Sequence, residues 1–394
     1  MAVGFLSEMS AEPVHGGGVT LARVLGSDLK RFDWFAKTIR YDHESEPHYA
    51  PARSHSFPIG KLERNLRPFI GCSRAYAIAA HPETRRQFAK RVAKKLLLKE
   101  AELTNSKLLV CPQADISLIV LDELRKRMPL PYVTWMMDDH LLDWKGGTWQ
   151  YPNGFEDLMH RHLTEAEHVF TISPAMQEFY SERFRVDSKV LCGSAKTSGE
   201  TMLSATTPSP IRLVYFGSLG RWQNDALTLL TSELAKGAIS LDVFTHNPEG
   251  LPAPLLKAGA SLKQGIPAHK VLETSALYDS VVLPISFLPE LRNMSVFNVA
   301  TKFSECLAAP VPTLIIGPSE ACMIRIANET DSCITISEQN EEAVSYAIHE
   351  LSDTARRQAA LEGERTLLNQ QFTPTIMDAR WEPAAQFLFD EHHG

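Results

Sequence analysis

Little in these 394 residues suggests a disulfide framework, a membrane span or a nucleic-acid-binding surface. Six cysteines, at 72, 111, 192, 306, 322 and 333, are too sparse for a cross-linked scaffold. They form no CxxC pair and no close Cys/His pairing. Their apolar neighbours, as in KLLVC and VLC, mark most of them as buried thiols in a reducing compartment, so the cytoplasm is the expected location. No run approaches the roughly 18 uninterrupted apolar residues that a span requires. MAVGFLSEM lacks a basic n-region and reads as a first strand rather than a signal peptide. Lys and Arg number 40 against 47 Asp and Glu, a formal charge of −7, which argues against a general nucleic-acid binder.

Familiar catalytic signatures are missing too. There is no GxxxxGK[ST] phosphate loop, and Gly16-Gly17-Gly18 has no third glycine in GxGxxG register. His15-Gly16-Gly17-Gly18 imitates a lipase oxyanion loop, but no GxSxG nucleophile elbow accompanies it. No HExxH or clustered Asp/His set points to a metal. Conventional nucleophilic and metal hydrolases are therefore excluded.

What is present is apolar strand-like runs alternating with helical segments almost from end to end. Met1–Leu6, Lys107–Cys111, Tyr132–Met136, His168–Ile172 and Lys189–Cys192 read as strands. Helices are expected at Val19–Leu25, Ile116–Arg127, Gly154–Glu165 and Pro174–Phe184. After residue 210, strands Ile211–Phe216, Ser240–Phe244, Ser280–Pro284, Thr313–Ile316 and Cys333–Ile336 alternate with helices near Asp225–Ala235, Thr301–Ala308, Glu320–Ala327 and Glu341–Leu351. This alternation implies parallel sheets with helices on both faces. Lys196–Pro210, rich in Ser, Thr and Pro, reads as a linker. The expected architecture is α/β: two doubly wound Rossmann-like domains facing each other across a cleft, where ligands of such folds bind.

Two further stretches stand out. His43–Arg67 is polar and carries three prolines, so it reads as a long loop. Glu83–Leu103 reads as a helix bearing Arg85, Arg86, Lys90, Arg91, Lys94, Lys95 and Lys99, with Phe88, Val92 and Leu96 on an apolar face. It suits either a solvated amphipathic helix or attraction to an anionic membrane surface.

Four constellations carry chemistry. His15, Gly16, Gly17 and Gly18 follow the first strand, and glycines there let a backbone approach an acceptor or phosphate closely. Val214-Tyr215-Phe216-Gly217-Ser218-Leu219-Gly220-Arg221 makes a similar strand–turn–helix transition in the second half, where Arg221 offers a cation for a diphosphate. In SVFNVATKFSECLAAPVPTLIIG, Thr301 is placed to cap a helix through its hydroxyl. Lys302 and Glu305 project from one side of its first turn. They form either a surface ion pair or a site where the carboxylate accepts ribose hydroxyls and the lysine meets phosphate. Asp138, Asp139 and His140 follow strand Tyr132–Met136 in TWMMDDHLLDW. One of them is placed to take a proton from an acceptor hydroxyl.

With these residues the chain resembles the GT-B-fold glycosyltransferases of the large family 4 group. Lys302-Phe303-Ser304-Glu305-Cys306-Leu307-Ala308-Ala309 resembles that family's K-x-x-E-Y-L-A-x-G segment, and EAEHVFTISPAMQEFYSERF resembles its A-D-x-V-x-x-x-S-P stretch. The resemblance implies an N-terminal acceptor-side domain at residues 1–200, rejoined by a C-terminal helix at 374–394. A nucleotide-sugar-binding domain would occupy residues 208–373. It implies a nucleotide-diphosphate sugar as donor, a glycan or lipid-linked acceptor, no metal and no other cofactor. Donor-side residues would be Gly217, Ser218, Arg221, Asn298, Thr301, Lys302 and Glu305. Ser218 stands where the family has arginine, and Phe297 where many members have a further glutamate. A sugar-nucleotide epimerase or hydrolase, or a non-catalytic binding subunit, remains compatible with the same residues.

Overall fold

The computed structural model describes residues 2–9, 11, 16–38, 53–58, 60–99, 101–196 and 209–390. His15, most of the Lys196–Pro210 stretch and His392-His393 lie outside the described residues. The chain divides into two compact units, Met1–Cys192 with Met377–Gly394, and Gly193–Ile376.

In the first unit the strands are β1 (Ala2–Ser7), β2 (Trp34–Lys37), β3 (Arg53–Ser56), β4 (Ser106–Cys111), β5 (Tyr132–Met136), a hairpin of β6 (Asp143–Lys145) and β7 (Thr148–Gln150), then β8 (His168–Thr171) and β9 (Lys189–Val190). All but the hairpin form one parallel sheet in the order β3-β2-β1-β4-β5-β8-β9. Its helices are α1 (Gly16–Leu25), α2 (Gly60–Ile70), α3 (Cys72–Ala80), α4 (Pro82–Lys99), α5 (Ile116–Arg125), α6 (Phe155–Thr164) and α7 (Pro174–Phe184). Central strands such as β1 and β4 are covered on both faces, which is why they read as nearly continuous apolar runs. Gly4 in β1 stands opposite Trp34 in β2, and a Cβ at Gly4 would overlap the Trp34 indole.

The second unit contains β10 (Ile211–Phe216), β11 (Ile239–Thr245), β12 (Ser261–Gln264), β13 (Ser280–Pro284), β14 (Thr313–Ile316) and β15 (Ile334–Ile336), all parallel in the order β12-β11-β10-β13-β14-β15. Its helices are α8 (Asn224–Thr228), α9 (Thr231–Ala235), α10 (Ala253–Lys257), α11 (Val271–Ser275), α12 (Arg292–Phe297), α13 (Phe303–Leu307), α14 (Cys322–Glu329), α15 (Glu341–Ser352) and α16 (Thr354–Gln371). A last helix, α17 (Pro374–Phe389), is counted from Met377 with the first unit. There Trp381 Nε1 donates to Asp28 Oδ2 at 2.9 Å and Arg380 donates to the Val190 carbonyl at 2.9 Å.

Several elements differ from the sequence reading. Within the stretch read as a loop, residues 53–56 are a strand and residues 60–67 belong to α2. β3 is an edge strand of sequence RSHS, so it carries no apolar signal. The glycine run is not a loop before a helix; Gly16, Gly17 and Gly18 form the first turn of α1. The expected helix 225–235 is broken into α8 and α9. Thr228 and Thr231 hydroxyls take the Asn224 and Thr228 carbonyls, each at 2.6 Å, which competes with continued helical bonding. Helix α4 ends at Lys99, and Arg85 is not solvated on it. Its Nε bonds both Asp115 carboxylate oxygens, at 2.7 and 2.8 Å.

Five of the six cysteines are buried and Cys72 is exposed; all six are free. Among the described residues no helix is long and apolar enough to cross a membrane.

One buried acid makes the fold pH-sensitive. Glu364 on α16 is fully buried and accepts the Thr313 amide at 2.7 Å. Burial pushes its pKa up to about 8 against that bond. The fold therefore favours the protonated acid. That contribution is present below the ordinary glutamate range and is lost as pH rises through about 8. Denaturant midpoints should fall between about pH 5 and about pH 8, and Glu364→Gln should flatten the fall by up to about 4 kcal/mol.

Candidate functional site

In each sheet the strand order reverses beside the first strand: β11 and β12 lie to one side of β10, and β13 onward to the other. Open α/β sheets bind ligands outside the carboxyl ends of their strands at such a switch point.

In the second unit that position is built from the turn after β10, the turn after β13 and the start of α13. Gly217 ends β10 with φ +154°, and a Cβ there would overlap the Lys302 ammonium. Lys302 reaches back across 86 residues of sequence to donate from Nζ to the Phe216 carbonyl at 2.6 Å. Its ammonium also lies 5.4 Å from the centre of the Tyr215 ring. Burial pushes the Lys302 pKa below the usual lysine range, and the Glu305 carboxylate opposes that shift. The sequence thus brings a desolvated cation to the end of the first strand. Glu305 lies in the first turn of α13, where a carboxylate is favoured by the helix dipole.

The turn itself is tied down from beneath. Tyr215 donates its hydroxyl to the Ser218 carbonyl at 2.6 Å. Asn247, after β11, accepts the Leu219 amide on Oδ1 at 3.0 Å and donates from Nδ2 to the Leu219 carbonyl at 2.7 Å. Asn224 accepts the Gly220 amide at 3.1 Å. Asp225 holds the turn after β13, accepting the Ser286 hydroxyl at 3.1 Å and the Phe287 amide at 2.7 Å. Its other oxygen is buried with no hydrogen-bond partner among the described residues. Tyr215 stood in the strand–turn run read from sequence; Asp225 and Asn247 were not singled out as positioning residues. The only signal was polar residues just beyond apolar strands.

Other donor-side candidates are placed less tightly. Ser218 is exposed. Arg221 is exposed and pairs with Glu290 at 3.2 Å across the two turns. Asn298 ends α12, its amide bonded to the Met294 carbonyl at 3.1 Å. Thr301 stands one residue before the N-cap of α13 rather than at it: Lys302 occupies that position, and its side chain makes no cap bond. A Cβ at Gly193 would crowd the Thr301 carbonyl at 2.7 Å, so that backbone is fixed.

In the first unit the switch point lies between β1 and β4. A Cβ at Gly17 would overlap the Met9 thioether, so the start of α1 packs directly on Met9. Glu8, just after β1, accepts the Ser117 amide at 2.9 Å, and burial pushes its pKa up to about 7. Sequence inspection passed over this residue, although it directly follows the first strand.

Beyond β5 the three acid–base candidates separate. Asp139 is buried; its Oδ2 accepts the hydroxyls of Tyr151 at 2.6 Å and Tyr180 at 2.9 Å. Its Oδ1 accepts the Leu141 amide at 3.2 Å. Burial raises its pKa and the two phenols oppose the rise. Asp138 is half-buried and accepts a hydrogen bond from the Gln113 side chain. His140 is exposed, and its amide donates to the Gln113 carbonyl at 2.9 Å. Among the described residues no group of three or more His, Cys, Asp or Glu is placed to hold a metal.

No family model matches the chain, and no curated protein matches its sequence. Solved structures do match. Sucrose-phosphate synthase from Thermosynechococcus elongatus superposes with a TM-score of 0.65 at 12% identity, covering 99% of each chain. The α,α-trehalose 6-phosphate synthase of Burkholderia multivorans gives 0.62 at 9% identity and 98% of each chain. Anabaena HepE in complex with UDP and glucose gives 0.61 at 12% identity, covering 98% of this chain and 100% of that one. The shared architecture is the GT-B type expected from sequence, with two Rossmann-like parallel sheets.

Proposed function

We propose that this protein transfers a sugar from a nucleotide-diphosphate sugar to the hydroxyl of a glycan or lipid-linked acceptor. The observation that carries the reading is the desolvated Lys302 ammonium held against the carboxyl end of β10, with Glu305 one turn further on. The similarity in fold to structures named as sugar-phosphate synthases, and to one holding UDP and glucose, supports it.

In this reading Lys302 faces the donor diphosphate, and Arg221 turns to it from Glu290. Glu305 accepts the ribose hydroxyls. Gly217 gives the phosphates access to the strand end, while Ser218, Asn298 and Thr301 line the donor side. Gly16, exposed at the start of α1, faces the acceptor, while Gly17 lets the helix start pack on Met9 and Gly18 is buried behind it. The anomeric carbon–oxygen bond to the diphosphate breaks as the acceptor oxygen bonds to that carbon. Asp138 takes the hydroxyl proton. Asp139 positions the segment through Tyr151 and Tyr180. The basic side chains and turn amides neutralise the leaving diphosphate, so the reaction proceeds without a metal or another cofactor. The free thiols suit a reducing compartment, the cytoplasm.

The test is product analysis by mass spectrometry with a panel of nucleotide sugars and acceptors, with and without a chelator. The expected result is a nucleoside diphosphate and a glycosylated acceptor in equal amounts, unaffected by chelation. Free sugar or an isomerised donor without acceptor would instead identify a hydrolase or an epimerase.

A further inference from the structure

The stretch 60–99, spanning α2, α3 and α4, carries eleven Lys and Arg against two Asp and Glu in a chain whose net charge is −7. Helix α2 packs on α3, and α3 on α4. Helix α2 is amphipathic in an unusual sense. Its apolar stripe, Leu62, Leu66, Phe69 and Ile70, follows i, i+4, i+7, i+8 spacing, yet none of the four is buried. Phe69 is 84% exposed. In α3, Tyr76 and Ile78 are exposed as well.

Helix α4 buries Ala89, Val92, Ala93 and Leu96 and turns the opposite face outward. That face carries Lys90, Arg91, Lys94 and Lys95, with Leu98 beside them at 77% exposure. Among the described residues no ion pair involves these four cations, unlike Arg85, which is spent on Asp115. Large exposed side chains cost free energy in water unless something covers them.

We infer that the α2–α3–α4 face of the first unit docks on an anionic lipid surface. Phe69, Leu98 and their neighbours enter the interfacial region, and the lysines and arginines meet the headgroups. Charge complementarity selects this occupant. Lysine is depleted at protein–protein interfaces, whereas an apolar stripe framed by Lys and Arg is the signature of interfacial helices. The inference goes beyond the proposed transfer reaction and does not depend on it, because lipid binding needs no donor. If both hold, the acceptor is presented at a membrane surface.

The experiment is co-sedimentation of the full chain with vesicles of phosphatidylcholine alone or with about 30% phosphatidylserine, at about 0.1 M and about 0.5 M salt. Binding should require phosphatidylserine and weaken at high salt. The triple variant Lys90→Glu, Lys94→Glu, Lys95→Glu should bind at least about tenfold more weakly. Phe69→Ser should also weaken binding several-fold while keeping the salt dependence. All substituted side chains are exposed, and unchanged thermal melts will confirm folding. Failure to bind the anionic vesicles, equal binding to both vesicles, or variants that bind as the wild type does would overturn the inference. So would a wild-type dimer that Phe69→Ser converts to monomer, since a second copy would then cover the face. Retention on an acidic polypeptide column without vesicle binding would point instead to an acidic protein partner and also overturn it.

Discussion

Lys302→Ala should lower kcat/KM by about 10²–10³-fold, the range found when one preorganised charge-stabilising donor is removed from an active site. The substitution removes the cation at the end of β10 and leaves the Phe216 carbonyl without its 2.6 Å partner. Lys302→Arg should not restore activity, because a guanidinium is wider than the ammonium packed against Gly217 and the Tyr215 ring. Gly217→Ala should reproduce much of the loss by a separate route. Its methyl would displace the Lys302 ammonium at a backbone angle, φ +154°, that favours glycine. Because burial lowers the Lys302 pKa, the alkaline limb of the kcat/KM profile should fall below the ordinary lysine range. Steady-state kinetics with the active donor, across pH, reads all three variants.

The paired aspartates should separate just as clearly. Asp138→Asn is expected to cut kcat by about 10²–10⁴-fold, the range for loss of a general base, with melting temperature and donor affinity unchanged. Asp139→Asn is expected to act on the fold. Its carboxylate accepts two buried phenols and a backbone amide, and replacing one acceptor oxygen with an NH₂ group sets donor against donor. A cost of about 2–3 kcal/mol follows from hydrogen bonds left unmade in a buried network. Thermal melts and turnover measured on both variants separate the roles. Full turnover in Asp138→Asn with normal stability would remove the proposed base.

Much of the scaffold was legible because central parallel strands are buried on both faces. AVGFLS, KLLVC, YVTWM and IRLVYF announce themselves as unbroken apolar runs. Two of the edge strands carry no such signal: RSHS and SLKQ were passed over, whereas the opposite edges, β9 and β15, were read. The prolines and histidines of 43–67 suggested a loop, yet β3 and the start of α2 lie within it. There the parallel pairing with β2 decides the structure rather than local propensity. Helix α2 itself was missed, and with it the apolar part of the basic face that the charges on α4 alone only hinted at.

The candidate site was legible to a different depth. The spacing of Lys302 and Glu305 placed both on one turn of helix. What no spacing could show is that Lys302 crosses to the Phe216 carbonyl and fills the space beside Gly217, because the sheet order brings those segments together. The same holds for Asn247 and Asp225. Each is an ordinary polar residue until the fold sets it against a turn it must hold. Asp138 and Asp139 look equivalent in TWMMDDHLLDW, and only the phenols of Tyr151 and Tyr180, 12 and 41 residues further on, distinguish them.

The most direct test of the account is calorimetric titration of the wild type and of Glu305→Ala with a panel of nucleoside diphosphates. The account predicts that at least one nucleoside diphosphate binds the wild type in a 1:1 ratio. Its affinity should fall by about tenfold or more in Glu305→Ala, where the carboxylate proposed to accept the ribose hydroxyls is gone. Binding of equal strength to both proteins, or no binding of any nucleoside diphosphate to the wild type, would contradict it.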